Sequence, residues 1–250
     1  MTDLHCHILP GVDDGAASVD ESLAMAAMAE RSGVRAIAVT PHCNVPGEFD
    51  NYAGPELLGR LDALRSAVRQ AGVHVELYAG MEVFATAQVP DLLDGGRLLT
   101  LGGSRYLLVE FAFDESPDFA GQILADIAER GVVPVVAHPE RYHFIQGEEE
   151  RLLEWARRGY VLQINKGSLA GRFGRRAART ARWCMASGCV HLIASDAHSP
   201  YRRTTRMEEA WELAAAADGP EIADFLLREN PRRILEDRPV RPVLEEFERA

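Results

Sequence analysis

The sequence predicts an α/β fold in which repeated β-α units gather parallel strands into a barrel, and three observations carry that prediction. Short apolar runs rich in β-branched residues alternate with longer amphipathic segments. Polar residues stand immediately after those runs, as active-site residues do at the strand ends of a barrel. The chain has 250 residues, 47% of them hydrophobic, enough for one substantial core, and no stretch reads as an interdomain linker. Residues 1–250 are therefore read as one domain.

The first strand is expected to end near Leu4. A helix from Val19 to Ser32 follows it, with Ser18 and Glu21 at the spacing of a capping box. The second strand ends near Thr40 and a helix from Pro55 to Ala71 leads to a third strand ending near Ala79. The fourth ends near Val109, the fifth near Ala137, the sixth near Ile164 and the seventh near Ala194. Helices from Asp118 to Arg130, Glu148 to Arg158 and Arg175 to Ser187 separate the last four. Gly72, Gly131, Gly159 and Gly188 stand where helices stop. The remainder predicts helices from Thr205 to Ala216 and Glu221 to Arg228, a break at Asn230-Pro231, and a loosely held tail through Pro239 to Pro242.

A formal net charge of -11 disfavours nucleic acid or an anionic membrane as the main partner, since both attract basic surfaces. Carboxylates gathered as metal ligands would contribute to that charge, and bound cations would reverse it locally. No apolar stretch is long enough to span a bilayer, and Met1-Thr2-Asp3 is not the basic opening of a signal peptide, which predicts a cytoplasmic protein. Cys6, Cys43, Cys184 and Cys189 form no CxxC pair and read as reduced, structural thiols.

The polar residues after the apolar runs are His5 and His7, His42, Glu82, Glu110, His138, Asn165, and Asp196 with His198. Parallel strands of a barrel share one C-terminal face, so residues far apart in sequence would meet there. His5-x-His7 and Asp196-x-His198 repeat one arrangement at the two ends of the set, and histidines with carboxylates suit Zn, Mn or Fe. Interleaved Glu82 and Glu110 favour a metal site over scattered packing histidines, because carboxylates buried without a partner are costly. Asp13 reads as a turn or supporting residue in Asp13-Asp14-Gly15. His74, His143 and His191 read as surface or packing histidines. Cys43 neighbours His42, but no C-x-x-x-x-x-R phosphate loop accompanies it, so a thiol nucleophile is disfavoured. Arg141 and Arg203 follow ligand motifs closely, where a guanidinium would clamp phosphate oxygens; a plain surface charge is the alternative.

The run from Asp3 to Gly15, Asp-Leu-His-Cys-His-Ile-Leu-Pro-Gly-Val-Asp-Asp-Gly, resembles the opening of the PHP superfamily in its bacterial protein-tyrosine phosphatase branch of CpsB/CapC type. Thr40-Pro41-His42, Gly80-Met81-Glu82, Leu108-Val109-Glu110-Phe111, His138-Pro139-Glu140-Arg141-Tyr142 and Ser195-Asp196-Ala197-His198 follow in that family's order. The resemblance covers nearly the whole chain and implies a distorted (β/α)7 barrel of the PHP type with up to three metal ions. By it, His5, His7, Glu82 and Asp196 hold one ion, Glu82, Glu110 and His138 a second, and Asp14, His42 and His198 a third. It places Arg141 and Arg203 as catalytic, phosphate-binding arginines. It implies manganese as the usual ion, with iron or zinc as alternatives. The implied partner is a phosphotyrosine protein, a bacterial tyrosine kinase of capsule or exopolysaccharide production, dephosphorylated by metal-activated hydroxide. Cys43 stands where many relatives carry a second histidine, Cys6 where a small residue is also found, and Lys166 has no assigned role.

The same site would also serve a small-molecule phosphomonoesterase of the histidinol-phosphate kind or a phosphodiesterase. The acidic balance speaks against a nuclease and the branch motifs against histidinol phosphate. A metal-sensing module without turnover is the rival from another class, and the intact ligand positions with both arginines argue against it.

Overall fold

The computed structural model describes residues 1–247; residues 248–250, the end of the expected 1–250 domain, lie outside the described residues. Ten strands run in the order β1 (Thr2–Cys6), β2 (Ala36–Val39), β3 (His42–Val45), β4 (Phe49–Asp50), β5 (Glu76–Ala79), β6 (Glu82–Phe84), β7 (Tyr106–Glu110), β8 (Val133–Ala137), β9 (Val161–Asn165) and β10 (Leu192–Ala194). They form a sheet of order β1-β2-β5 and a sheet of order β10-β9-β8-β7-β6-β3-β4. Every pairing is parallel except that of β4 with β3.

All seven expected strands are present, but the second and third each break in two, at Thr40-Pro41 and Gly80-Met81. Pro41 has no N–H to offer a ladder. At Gly80 a side-chain Cβ would come within 3.2 Å of Leu101 and 3.3 Å of Thr40, so a larger residue would have to push those side chains aside by a few tenths of an ångström. The upstream halves, β2 and β5, stay with β1, while the downstream halves β3 and β6 join β7. His42 and Glu82 consequently open short second strands and lie directly across from each other in register. Between β1 and the chain after β10 the join is sparse: Asp196 N–H donates to His5 O and His7 N–H to Ala197 O, both at 2.8 Å, beside an isolated bridge of Cys6 and Ala197. The ladders thus stop short of one continuous barrel.

Helices α1 (Val19–Arg31), α2 (Pro55–Gln70), α3 (Val89–Asp94), α4 (Pro117–Glu129), α5 (Glu150–Arg157), α6 (Lys166–Leu169), α7 (Gly174–Ala186), α8 (Glu208–Asp218), α9 (Pro220–Asp224), α10 (Asn230–Leu235) and α11 (Val243–Phe247) complete the chain. The α1 cap forms with a shift: Ser18 Oγ accepts from Glu21 N–H at 3.3 Å, but Glu21 reaches the N–H of Ala17 rather than of Ser18. Beyond α2 and α4, Gly72 and Gly131 take the left-handed φ of +72° and +75° that ends a helix cheaply only for glycine. The short α3 and α6 were not anticipated; neither is long enough to show a helical period.

Two C-terminal expectations are corrected. Asn230-Pro231 does not break the helix, because a π-helical turn over Phe225–Glu229 leads into α10 and Pro231 falls in its first turn, where no N–H is needed. The stretch after Pro239 is docked rather than loose: Val243 N–H donates to Val190 O, Leu244 N–H to Gly188 O, and Phe247 meets Phe225 edge-on at 5.4 Å. Buried Asn230 ties both ends down by donating to His191 O at 2.9 Å and Arg241 O at 2.8 Å.

A large apolar cluster between strands and helices includes Met25, Leu61, Ile127 and Trp155. A smaller one gathers Leu4, Ala38, Leu108, Val135, Val161 and Leu192 from six strands, with Ile234 of α10 against it. Side chains two apart on a strand share a face, so Leu108 precedes Glu110 and Val161 precedes Gln163 and Asn165. The apolar layer therefore floors the polar one.

Candidate metal centre

The polar layer converges on Glu82. Its carboxylate, 1% exposed, lies 3.0 Å from His5 Nε2, 3.1 Å from His7 Nε2, 3.2 Å from His42 Nδ1 and 3.1 Å from His138 Nε2. Glu110 comes within 2.9 Å of His42 Nδ1. Asp14, half exposed, sits 3.5 Å from His42 Nε2 and 3.3 Å from His198 Nε2. Asp196 Oδ1 is 3.5 Å from His5 and 3.6 Å from His198. All nine sequence-predicted ligands are brought together, in four overlapping groups whose donor atoms lie within 4.8 Å of one another: His7, Asp14, His42 and His198; His5, His7 and Asp196; His5, Glu82 and His138; His42, Glu82 and Glu110. His138 approaches Glu82, at 3.1 Å, more closely than Glu110, from which it is 3.9 Å distant.

Burial favours the neutral acid of Glu82, yet the surrounding imidazoles hold its carboxyl well below the usual range. Burial likewise disfavours charge on His5 and His7, but neighbouring carboxylates, Glu82 and Asp196 for His5 and Asp13 and Glu82 for His7, raise both. The residues fit a cation on the geometry of the lone pairs. His5 Nδ1 donates to Gln163 Oε1 at 2.9 Å and His7 Nδ1 to Asp13 Oδ2 at 2.8 Å. With both rings neutral, the two Nε2 atoms, 3.2 Å apart and each within 3.1 Å of Glu82, would present lone pairs to one point, where a bound cation would take the place of the protons that the raised imidazoles otherwise carry. His42 Nδ1, His198 Nε2 and Asp196 Oδ1 are buried without a hydrogen bond although charged groups stand nearby. Imidazole and carboxylate donors suit divalent transition ions.

Sequence reasoning left out part of the supporting shell. Asp13, read as structural, orients His7 and also accepts from His42 N–H at 3.0 Å. Gln163 was missed; its signal was a polar residue two positions before Asn165 on an otherwise apolar strand. Asn165 Nδ2 donates to Asp196 Oδ2 at 2.5 Å, and buried Glu140 accepts from Asn165 N–H at 2.9 Å. Among the described residues, three of the five non-glycine residues with positive φ lie here, His138 at 34°, Asp196 at 50° and Arg203 at 49°, the kind of strain that functional sites store.

Both predicted arginines reach the cluster through Asp196. Arg141 Nη1 is 3.3 Å from Asp196 Oδ2, and the Arg203 guanidinium contacts Asp196 Oδ1 while its Nε donates to the Asp196 carbonyl at 3.1 Å. Phe113 and Phe173, which sequence reasoning missed, lie 4.7 Å and 4.3 Å from the Arg141 guanidinium carbon. The buried Cys43 thiol belongs to the apolar core and is pushed up to about 12, chiefly by burial, so it is no thiolate nucleophile. His74 is exposed and pairs with Glu30; His191 is buried in the structural frame. His143 lies nearer the site than expected, lining a cavity with Arg141. Lys166 is buried, donates to the carbonyls of Thr204 and Arg206, and lines the cavity that also holds Arg203.

Parallel strands that deliver buried histidines and carboxylates to one end, beside paired arginines, define an α/β protein with a candidate multi-ion centre. The chain belongs to the family described as capsular polysaccharide synthesis, CpsB/CapC, which it matches over residues 1–236. It is 33% identical over 240 residues to the tyrosine-protein phosphatase YwqE of Bacillus subtilis (strain 168), covering 96% of this chain and 93% of that one. It is 32% identical over 245 residues to the tyrosine-protein phosphatase CpsB of Streptococcus pneumoniae, covering 95% and 99%. Its fold matches a crystal structure from work on YwqE and CpsB, described as unique metal-dependent tyrosine phosphatases, with a TM-score of 0.88, 34% identity and coverage of 97% and 99%.

Proposed function

We propose that this chain is a single-domain, metal-dependent protein-tyrosine phosphatase. It acts in the cytoplasm on a phosphotyrosine protein, a bacterial tyrosine kinase, in the control of capsule or exopolysaccharide production. The observation that carries the reading is the meeting on Asp196 of a buried histidine and carboxylate cluster with two arginines. Family membership and relatives named as tyrosine-protein phosphatases support it.

His5, His7, Glu82 and Asp196 would hold one ion, Glu82, Glu110 and His138 a second, and Asp14, His42 and His198 a third. Manganese is the proposed resident, with iron or zinc also compatible with these donors. Bound divalent ions supply Lewis acidity and make water acidic enough to attack phosphorus near neutral pH. The chain's own groups do the rest. Asp13 and Gln163 fix the tautomers of His7 and His5, so that Nε2 of each is free to bind. Arg141 and Arg203 grip phosphoryl oxygens as charge builds on them, where preorganised donors act most strongly. Phe113 and Phe173 flank Arg141 and offer apolar faces to an aryl leaving group. A tyrosine phenol, with a pKa of about 10, departs with less help from a general acid than an alkyl alcohol needs.

The test compares kcat/KM of manganese-loaded protein on a phosphotyrosine peptide, histidinol phosphate and a phosphodiester. The peptide is expected to lead. A higher value for histidinol phosphate or the diester would reassign the substrate, and metal binding with no turnover would restore the sensing reading.

A further inference from the structure

Beside the candidate centre the charge of the surface changes sign. The chain carries a net charge of -11, yet the wall around Arg141 and Arg203 is set with arginines. Phe173 stands between two cavities there. One, of about 390 Å³, opens from Arg141 and is bordered by Arg175 and Arg176 at the start of α7. The other, of about 720 Å³, opens from Arg203 and is bordered by Arg202 and Arg206, with Arg172 and the carboxylates of Glu208 and Glu209 also on its lining. All four bordering arginines are exposed. Among the described residues, none of them has a carboxylate within 4.0 Å, whereas nearby Arg172 is 2.5 Å from Glu209 and Arg179 is 3.8 Å from Glu149. Exposed arginine is ordinarily just solvated. What distinguishes these four is placement, two in each cavity that adjoins an arginine assigned to phosphate.

We propose that the two cavities are subsites for anionic side chains flanking the phosphotyrosine of a substrate segment, whether carboxylates or a further phosphotyrosine. The inference rests on the phosphatase reading and specifies its substrate class. With the phosphoryl group between Arg141 and Arg203, the chain leaves the tyrosine in two directions, and in an extended segment the side chains two positions before and two positions after it project to the tyrosine's own side. Phe173 separates the two paths. Each guanidinium in such a cavity meets carboxylate or phosphate oxygens in its two-pronged geometry. Opposite charge also favours encounter and weakens as salt rises.

The experiment uses the metal-loaded protein and matched peptides whose phosphotyrosine is flanked, two positions away on each side, by Glu, by Ala, or by a further phosphotyrosine. The readout is the ratio of kcat/KM on each anionic peptide to that on the Ala peptide, so a general loss of activity in a variant cancels. The parent should prefer anionic flanks by about five- to tenfold at low salt, chiefly through KM, because exposed ion pairs are individually weak. Arg175→Ala with Arg176→Ala, and Arg202→Ala with Arg206→Ala, should each lower that ratio, and the fourfold variant should bring it near one. A preference for Glu alone assigns carboxylates, and one for the second phosphotyrosine alone assigns phosphate. Equal kcat/KM on all three peptides, or a ratio unchanged in the fourfold variant, overturns the subsites while leaving the phosphatase reading intact. No turnover of these peptides or of para-nitrophenyl phosphate overturns the phosphatase reading itself, and the subsites with it.

Discussion

Glu82 is the residue on which the candidate site turns, because four imidazoles stand within 3.2 Å of its carboxylate. Glu82→Ala should therefore lower metal occupancy and turnover together. Arg141→Ala and Arg203→Ala should keep their metals and lose about ten- to a thousandfold in turnover, the scale of a contact strongest in the transition state. Lysine should restore only part, since a point charge lacks the paired donors of guanidinium. Metal analysis beside hydrolysis of para-nitrophenyl phosphate checks both, and an arginine variant equal to the parent would be a surface charge after all. Lys166, the only lysine in the sequence, acts at one remove. Its buried ammonium, lowered to about 8 by burial, clamps the carbonyls of Thr204 and Arg206 and so fixes the turn that holds Arg203 at φ +49°. Lys166→Met would leave those carbonyls without donors and should cost about 1 to 3 kcal/mol of stability. It should also lower kcat on para-nitrophenyl phosphate with metal content unchanged. A variant that melts earlier but turns over like the parent would limit Lys166 to a structural role.

At the scale of elements, alternation of apolar and amphipathic runs was enough to place seven strands and most long helices, because each buries one face with a regular period. That reading could not see β2 and β3, or β5 and β6, parting between two sheets, since both halves of each strand are equally apolar or ligand-bearing. Pro41 and Gly80 mark the breaks, but only their neighbours in space show where the halves go. The nine candidate ligands were legible as a set because motif and strand position agreed, whereas Gln163, Phe113 and Phe173 act through contacts that no local spacing encodes. His191 shows how tightly two elements are joined: its N–H donates to Leu162 O and its Nδ1 accepts from Leu162 N–H, both at 3.1 Å, at the start of β9 and β10. Burial lowers this imidazole to about 3, so the folded protein keeps it neutral where the unfolded chain, near 6.5, binds a proton. The unfolded state then holds more protons between about pH 6.5 and 3, and stability from this group falls as pH drops through that window, by up to about 1.4 kcal/mol per unit. His191→Asn, which retains an acceptor, should flatten that decline. Melting curves of metal-free parent and variant across the window test it, and parallel curves would deny His191 the effect.

For the whole molecule, the nine candidate ligands span positions 5 to 198, on or just after β1, β3, β6, β7, β8 and β10, apart from Asp14 in the turn before α1. A cation bound among them would tie together strands from both sheets, across the same join where Asp196, His7, the Cys6–Ala197 bridge and the hydrogen bonds of Ser195 to Asp3 and His5 link β1 to the chain after β10. The unfolded chain offers no such assembled set, so binding favours the folded state by mass action. The gain is about 4 kcal/mol when free metal is a thousand times its dissociation constant. In a protein of this size that corresponds to a rise of about 10 °C in Tm. Removing metal with a chelator should lower Tm by about that amount, and manganese should restore it, with more than one ion recovered per chain because the donors exceed what one centre uses. Glu82→Ala should start lower and respond little to chelator, while Arg141→Ala should respond as fully as the parent, which separates loss of metal from loss of phosphate binding. Scanning calorimetry beside mass-spectrometric metal analysis provides the measurement. A parent that gives up its metal completely with no change in Tm would show that the cluster contributes nothing to holding the strands together, and a maximum of one ion per chain in excess manganese, iron or zinc would reject the three-ion arrangement.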